Sequence, residues 1–498
     1  MICVPLLNQK KFMNKEILSL EPQAIWKHFT ALNAVPRPSK KEARVIAFMK
    51  AFGARLDLET YEDAIGNVII RKPATLGMED RKTVVLQSHL DMVHQKNAAT
   101  DFDFLTQGIE MYIEGDWVKA KGTTLGADNG LGVATIMAIL ESKDLPHPAL
   151  EALFTIDEET GMTGAIGLQP GVLKGDILLN LDTEEDDEIG VGCAGGVDVT
   201  ASGTYTEEPT AQGVVGFLLS VKGLQGGHSG MDIHKGFGNA NKMISRLLYD
   251  GFNIYGLRVS KMDGGSLRNA IPRESSAIVV VDTVHKAAFE NATETLIAAI
   301  EKEFKAIEPD LIISLNPCDL PETVMELGVQ QPLIKALNVV HNGVFRMSPD
   351  IKNLVETSNN VARILVEKGQ IHIGCLTRSS VESSKQDLAQ ILKATFELAG
   401  CSVEFSGAYP GWTPNMEASI LKVLTDLYKQ INKSEPHVAA CHAGLECGIL
   451  GTHYPEMEMI SFGPNIKGAH SPDERVQISS VQKFWVFVKA ILEAIPKA

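Results

Sequence analysis

Residues 83–91 read Thr83-Val84-Val85-Leu86-Gln87-Ser88-His89-Leu90-Asp91, an apolar run that ends in a histidine and an aspartate. Thr83–Leu86 has the composition of a buried strand. The design recurs. Strand-like Ala152–Ile156 leads to Asp157-Glu158-Glu159, and Asp176–Leu181 leads to Asp182. Met457–Ser461 leads to Gly463-Pro464 and then to Gly468-Ala469-His470. Leu131–Leu140, almost wholly apolar, reads as a buried helix entered through Gly126-Ala127-Asp128-Asn129-Gly130. Strands alternating with helices predict a mostly parallel sheet covered on both faces, the α/β class.

Outward from this core, Ile25, Phe29 and Leu32 mark an early helix that Pro36 and Pro38 end. Near Gly195 the character changes. Val214–Val221 and Ala277–Val284 alternate apolar with polar residues, and amphipathic helices His285–Phe304 and Ser384–Leu398 lie among such strands. This predicts an α+β insertion with one open sheet face. Strand–helix–strand patterns through 214–316 and 370–406 suggest two lobes. From Gly411 the chain returns to a helix (Met416–Lys429), the strand Met457–Ser461 and a final helix (Val481–Ala494). The expected organisation is a catalytic domain over 14–195 and 410–498, interrupted by a lid over 196–409.

The 498 residues exceed what one core serves, which again predicts at least two domains. Hydrophobic residues at 44% and charged residues at 22% are ordinary for a globular chain. A net charge of −16 without a Lys/Arg block argues against nucleic acid and anionic membranes as partners. The acid excess suits cation binding, though it is ordinarily a solubility device. Seven scattered cysteines without a CxxC pair predict free thiols in a reducing compartment. No apolar run approaches the ~18 residues of a membrane span. Met1–Leu7 is apolar, but Lys10 and Lys11 follow it, the reverse of a signal peptide. Met13 is a candidate alternative start, which would make the first dozen residues an extension. The cytoplasm is the expected location.

In open α/β sheets, ligands bind outside the carboxyl ends of the strands. His89, Asp128, Glu159, Asp182 and His470 are therefore expected to converge. Buried charges are costly unless paired or metal-bound. Imidazole nitrogen with carboxylate oxygen suits zinc, cobalt or manganese. One catalytic zinc takes three protein ligands and a water. Five ligands fit two ions if a carboxylate bridges, an arrangement that activates water for hydrolysis. Each residue alone has a plainer reading: Asp128 as a helix N-cap, Glu158-Glu159 as a solvated turn, His89 as a core histidine. Their joint placement favours metal. No HExxH helix or GxSxG elbow supports another hydrolase route.

Ser88–Val93, Thr123–Gly130, Asp157–Gly161 and Gly468–Arg475 together resemble the Xaa-His dipeptidases, also called aminoacyl-histidine dipeptidases or peptidase D. These belong to the zinc exopeptidases, with glutamate carboxypeptidase and acetylornithine deacetylase. Gly226-Gly227-His228-Ser229-Gly230, Arg268–Pro272 and Tyr409–Trp412 extend the likeness, which runs from Leu20 onward. The resemblance implies a phosphorylase/hydrolase-like catalytic domain and two divalent ions, zinc first, with cobalt or manganese as alternatives. It implies that Asp128 bridges, that His89 and Asp182 complete one site, and that Glu159 and His470 complete the other. Asp91 would orient His89, Glu158 would be the general base, and the Asp128–Asn129 peptide would be cis. His228 would polarise the scissile carbonyl with help from Asn269, and Arg378 would clamp the substrate carboxylate. On the residues alone, Asn269 is equally a turn residue and Arg378 a surface one.

The expected substrates are dipeptides, Xaa-His and other unblocked ones. The alternatives are a deacylase or carboxypeptidase of the same family, or a catalytically dead binding protein, against which the complete ligand set argues. A homodimer is left open. Cys441-His442-Ala443-Gly444-Leu445-Glu446-Cys447 departs from the wider family pattern. It reads as a wall of the site with Glu446 behind it, in preference to a further metal site.

Overall fold

The strand Val84–His89 is buried along its whole length inside an eight-stranded sheet. The order is Glu59–Glu62, Val68–Lys72, Leu150–Thr155, Val84–His89, Ile177–Asn180, Glu458–Ser461, Glu188–Cys193, His437–Cys441. Val84–His89 runs parallel to Leu150–Thr155 and to Ile177–Asn180, and the latter runs parallel to Glu458–Ser461. Val68–Lys72 and Glu59–Glu62 extend the sheet antiparallel. The four parallel strands are the four apolar runs of the sequence, because strands buried on both faces must be apolar throughout. The computed structural model describes residues 16–498. The expectations for Met1–Leu7, Lys10, Lys11 and Met13 lie outside them, as do the first two residues of the 14–195 segment. Among the described residues, no helix is long and apolar enough to cross a membrane.

Two compact units divide the chain. One takes in residues up to Val191 with Asn415–Ala439 and Ile449–Ala498; the other takes in Gly192–Pro414 and Ala440–Gly448. In the first unit, helix Ala127–Glu141 is buried on all sides from Asn129 to Leu140. Helix Gln23–Asn33 sets Ile25, Trp26 and Phe29 in one apolar cluster with Leu131, Ala134 and Ala138 of that helix. A four-stranded antiparallel sheet, Ile466–Lys467, Arg475–Gln477, Trp117–Ala120 and Met111–Glu114, adds Val118 and Val476 to the same cluster. Its first two strands pair as a hairpin and fix both ends of the loop that carries His470.

The second unit is built on a nine-stranded antiparallel sheet. The order is Ile312–Cys318, Val214–Lys222, Ser275–Asp282, Arg258–Gly264, Val355–Glu367, Gln370–Ser379, Gly195–Thr204, Ser402–Tyr409, with Gly343–Met347 also pairing Val355–Glu367. The two expected lobes are halves of this one sheet, joined where Met262, Asp263 and Gly264 pair with Val366, Leu365 and Ile364. Helices Ala240–Tyr255, Lys286–Phe304, Leu327–Val339 and Glu382–Glu397 bring Leu247, Phe289, Leu333 and Phe396 into one core. Val199, Phe217, Val279 and Ile364 of the sheet complete it. Burial alternates over the first half of Ser275–Asp282, with Ser275, Ala277 and Val279 buried and Ser276 and Ile278 half-buried, after which Val280 and Val281 are both buried.

Phe396 is fully buried in that core. Phe396→Ala is expected to destabilise the protein by about 3–5 kcal/mol in chemical denaturation, and a change under about 1 kcal/mol would contradict this packing.

Candidate active site

His89 is the last residue of its strand and is 1% exposed. Its Nε2 lies 3.1 Å from Asp128 Oδ1 and 3.5 Å from Asp182 Oδ1. Its Nδ1 lies 3.3 Å from Asp91 Oδ1. Asp91 also accepts the backbone N–H groups of Glu158 (3.0 Å) and Glu159 (3.3 Å). One buried carboxylate thus ties the segment after Val84–His89 to the segment after Leu150–Thr155. Glu158 and Glu159 open the short helix Glu158–Gly161, entered through Asp157 at φ 52°. Asp157 Oδ2 accepts Thr163 Oγ1 at 2.8 Å and so holds this turn.

His470 comes from the hairpin loop at φ 63°. Its Nε2 lies 2.9 Å from Glu159 Oε2 and 3.2 Å from Asp128 Oδ2. The donor atoms of His89, Asp128 and Asp182 fall within 4.8 Å of one another, and so do those of Asp128, Glu159 and His470. Asp128 belongs to both groups. A third group of that compactness joins His89 to Glu158 and Glu159, and a fourth joins Glu42, Asp91 and Asp157. The residues present therefore suit divalent ions. Glu159 Oε1 is a buried oxygen without a hydrogen-bond partner, as a ligand atom awaiting a cation would be.

Electrostatics follow from this crowding. Burial opposes the charge on His89, but the Asp182 charge and contacts with Asp128, Asp182 and Asp91 raise its pKa well above the usual histidine range. Asp128 and Glu159 raise His470 to about 11. Burial raises Asp182 to about 6 and Glu184, two residues on, to about 8. Burial also opposes ionisation of Asp128, yet its contacts with His470 and His89 hold it well below the usual carboxylate range.

Three supporting residues have no role in the sequence reading. The Glu474 carboxylate accepts backbone N–H groups of Leu125 (2.7 Å), Gly126 (2.9 Å), Ala127 (2.7 Å) and Asp128 (3.2 Å). It thereby satisfies the donors at the start of the Ala127–Glu141 helix. Buried Arg37 donates to the carbonyls of Leu90 (3.0 Å), Asp91 (3.0 Å) and Gly126 (2.6 Å). Gly126 has φ 69°, and a Cβ there would meet the Arg37 guanidinium at 2.6 Å, so only glycine fits. Asn129 donates to the Leu181 carbonyl at 2.8 Å and to the Asp182 carboxylate. The Asp128–Asn129 peptide is cis. Glu474 and Asn129 lie inside the motifs that carry the resemblance; Arg37, between two prolines, had no signal.

The second unit holds the other expected residues. His228 Nδ1 accepts the backbone N–H groups of Gly230 (3.2 Å) and Met231 (3.0 Å), which places the ring proton on Nε2. Arg378 is buried, not a surface residue. Its Nη1 donates to Tyr409 Oη at 2.8 Å, and its Nη2 lies 3.5 Å from His228 Nε2. Two donors facing one another define a place for an acceptor. Asn269 is exposed, and its carbonyl accepts the Ser229 N–H at 2.8 Å. His442 is bonded to Ser358 Oγ at 2.8 Å, and burial lowers its pKa to about 3. A Cβ on Gly230 would lie 2.0 Å from the His442 carbonyl oxygen, so the two loops touch through glycine. Among the described residues, no compact group of ligand atoms includes Cys441, His442, Glu446 or Cys447.

A histidine–carboxylate cluster at the carboxyl edge of a largely parallel sheet is the arrangement of a metal-dependent hydrolase. The chain belongs to Peptidase family M20/M25/M40, whose sequence model matches residues 85–494. It is 41% identical over 481 residues to the cytosol non-specific dipeptidase of Escherichia coli (strain K12), covering 97% of this chain and 99% of that protein. It superposes on the crystal structure of aminoacylhistidine dipeptidase from Vibrio alginolyticus with a TM-score of 0.91 and 45% identity, over 97% and 98% of the two chains. Aminopeptidase PepT from Bacillus cereus shares the fold at a TM-score of 0.56 and 16% identity, over 96% and 99% of the chains.

An ion bound by His470 must displace the proton that Asp128 and Glu159 hold there. Zinc binding at pH 7 is therefore expected to release protons, and affinity should rise with pH. Calorimetry in buffers of different ionisation enthalpy checks this. Heats independent of the buffer would exclude the two histidines from ion binding.

Proposed function

We propose that the chain is a two-metal dipeptidase that hydrolyses unblocked dipeptides, Xaa-His among them. The observation that carries this reading is the sharing of Asp128 between two compact ligand groups. His89, Asp128 and Asp182 hold one ion, and Asp128, Glu159 and His470 hold the other, with zinc first and cobalt or manganese as alternatives. The names of the Escherichia coli and Vibrio alginolyticus relatives support the dipeptide class.

Bound divalent ions supply Lewis acidity and lower the pKa of water. The remaining work falls to side chains. Glu158 takes a proton from the attacking water and passes it to the leaving amine. Asp91 orients His89 through Nδ1 and fixes the Glu158-Glu159 backbone. Nε2 of His228, protonated because Nδ1 accepts two backbone bonds, donates to an oxygen of the scissile carbonyl as charge develops there. Asn269, tied by its carbonyl to Ser229, assists that loop. Arg378, steadied by Tyr409, binds the terminal carboxylate of the substrate.

A panel of β-Ala-His, other Xaa-His dipeptides and an N-acylated amino acid tests the substrate class. Preference for the acylated compound would favour a deacylase instead. EDTA is expected to abolish activity and zinc, cobalt or manganese to restore it. Glu158→Ala should still take up two ions while kcat falls by about 10²–10⁴-fold. Activity that survives full chelation, or a near-normal Glu158→Ala enzyme, would reject the mechanism. Arg378→Ala should lower kcat/KM for free dipeptides roughly 10- to 100-fold through KM, with a much smaller effect on amidated ones. Equal effects on both would remove Arg378 from the carboxylate clamp.

A further inference from the structure

The edge strand Ser402–Tyr409 of the nine-stranded sheet carries an irregularity. Phe405 pairs with Val199 and Ser406 with Asp198, but Tyr409 pairs with Gly196. Three steps on one strand thus match two on the other, a one-residue bulge, with Gly407 at φ 56° inside it. Side chains alternate between the faces of a sheet. Val197, Val199 and Ala201 enter the core, and Val403 and Phe405 pack against it. Without the bulge, Tyr409 would continue the core-facing set of Val403 and Phe405. With it, Tyr409 joins Gly196 and Asp198 on the opposite face.

Arg378 stands on that same face, paired with Gly196 from the other side. The strands of Arg378 and Tyr409 are roughly 10 Å apart, twice the strand spacing. The glycine between them leaves room to bridge that gap. A Cβ on Gly196 would lie 2.7 Å from Tyr409 Cε1 and Cζ and 2.8 Å from its Oη. The ring therefore lies across Gly196 and brings Oη to 2.8 Å from Arg378 Nη1. Buried Lys385 holds the Tyr409 backbone by donating to its carbonyl at 2.6 Å.

A guanidinium has donors only. The tyrosine oxygen is thus the acceptor in its bond with Arg378, and the phenolic hydrogen points elsewhere. Among the described residues the hydroxyl has no second partner. Burial raises the Tyr409 pKa, so the hydrogen stays in place at pH 7. Arg378 is always charged, is 4% exposed and forms no ion pair among the described residues. Asp198, on the same face, is taken by Arg268 at 3.2 Å. A buried cation with a spare hydroxyl hydrogen at its edge complements an anion that has two oxygens.

We infer that the Tyr409 hydroxyl donates directly to the terminal carboxylate of the dipeptide, beside Arg378, and helps to select a free carboxyl end. This rests on the dipeptidase reading and on Arg378 as the carboxylate clamp. Arg378 supplies the charge, and Tyr409 supplies a second, directed donor. The bulge at Gly407 is then a specificity device, since it turns the hydroxyl to this face.

The test compares wild type, Tyr409→Phe, Arg378→Ala and the double variant on Ala-His and on Ala-His amide, with zinc content and thermal melting measured on each protein. Phenylalanine keeps the ring over Gly196 and removes only the hydroxyl. Tyr409→Phe is expected to hold zinc like wild type and to lose roughly 10-fold in kcat/KM on Ala-His, through KM, with a much smaller loss on the amide. Added to Arg378→Ala, it should cost a further severalfold on Ala-His, because the donor acts on the substrate itself. A hydroxyl that only steadied Arg378 would add nothing there. That result, or equal losses on both peptides, would overturn the proposal. Arg378→Ala treating both peptides alike would fail the clamp reading, and a wild type that cleaves no dipeptide would fail the dipeptidase reading. Either failure is visible without a Tyr409 variant and takes the proposal with it.

Discussion

Asp128 divides its two oxygens between histidines from distant parts of the chain, Oδ1 toward His89 and Oδ2 toward His470. Asp182 and Glu159 stand beside the same two rings. Three carboxylates and two imidazoles within a few ångströms repel or neutralise one another unless cations lie among them. Without an ion, protons on the histidines meet that need, which is why both ring pKa values are raised. The fold holds a site whose charge is balanced in one of two ways, by protons or by metal. The parallel sheet makes this arrangement available. It ends four neighbouring strands on one edge: His89 closes one of them, and the segments after the other three carry Glu159, Asp182 and His470.

Asp128 itself does not come from a strand end, so its position needs separate support. Glu474 gathers four consecutive N–H groups under the turn that carries it. Arg37 gathers carbonyls from the same turn and from the segment after His89. One buried anion and one buried cation therefore grip opposite polarities of backbone and sit in one another's field. Either alone would be a buried charge at several kcal/mol of desolvation. Together they fix Asp128 relative to His89, and the Glu474 loop also carries His470. The same short hairpin thus places His470 and the Glu474 carboxylate that holds the Asp128 turn.

The sequence disclosed the parallel strands because strands buried on both faces are continuous apolar runs, and most of the candidate ligands could be named because they stand at or after the ends of those runs. Arg37 and Glu474 stayed silent for a physical reason. They bind backbone atoms, and backbone contacts leave no spacing rule in the side chains. The nine-stranded sheet was legible as strands and helices but not as one sheet. The joint between its halves is a three-residue pairing of Arg258–Gly264 with Val355–Glu367, which has no local signature. Likewise, Ala440–Gly448 reads as part of the returning first unit, yet it is grouped with the second, where His442 meets Ser358 and Gly230. His228, Asn269 and Arg378 became candidates through family likeness alone. The geometry adds the tautomer of His228 and the burial of Arg378, neither of which a motif specifies.

Glu158 and Glu159, consecutive in the chain, are given different duties in the proposed mechanism. Successive side chains on a helix diverge by about 100°, so two adjacent carboxylates cannot both face one ion equally. The left-handed Asp157 sets the direction in which the short helix starts, and Asp91 pins the N–H of each glutamate. That anchoring commits Glu159 to His470 and the shared group with Asp128. Glu158 is left beside His89, close enough to join a compact group with it and Glu159 but outside both groups that contain Asp128. In the proposed mechanism Glu159 therefore goes to the shared ligand group and proton transfer goes to Glu158, whose N–H the same Asp91 carboxylate fixes.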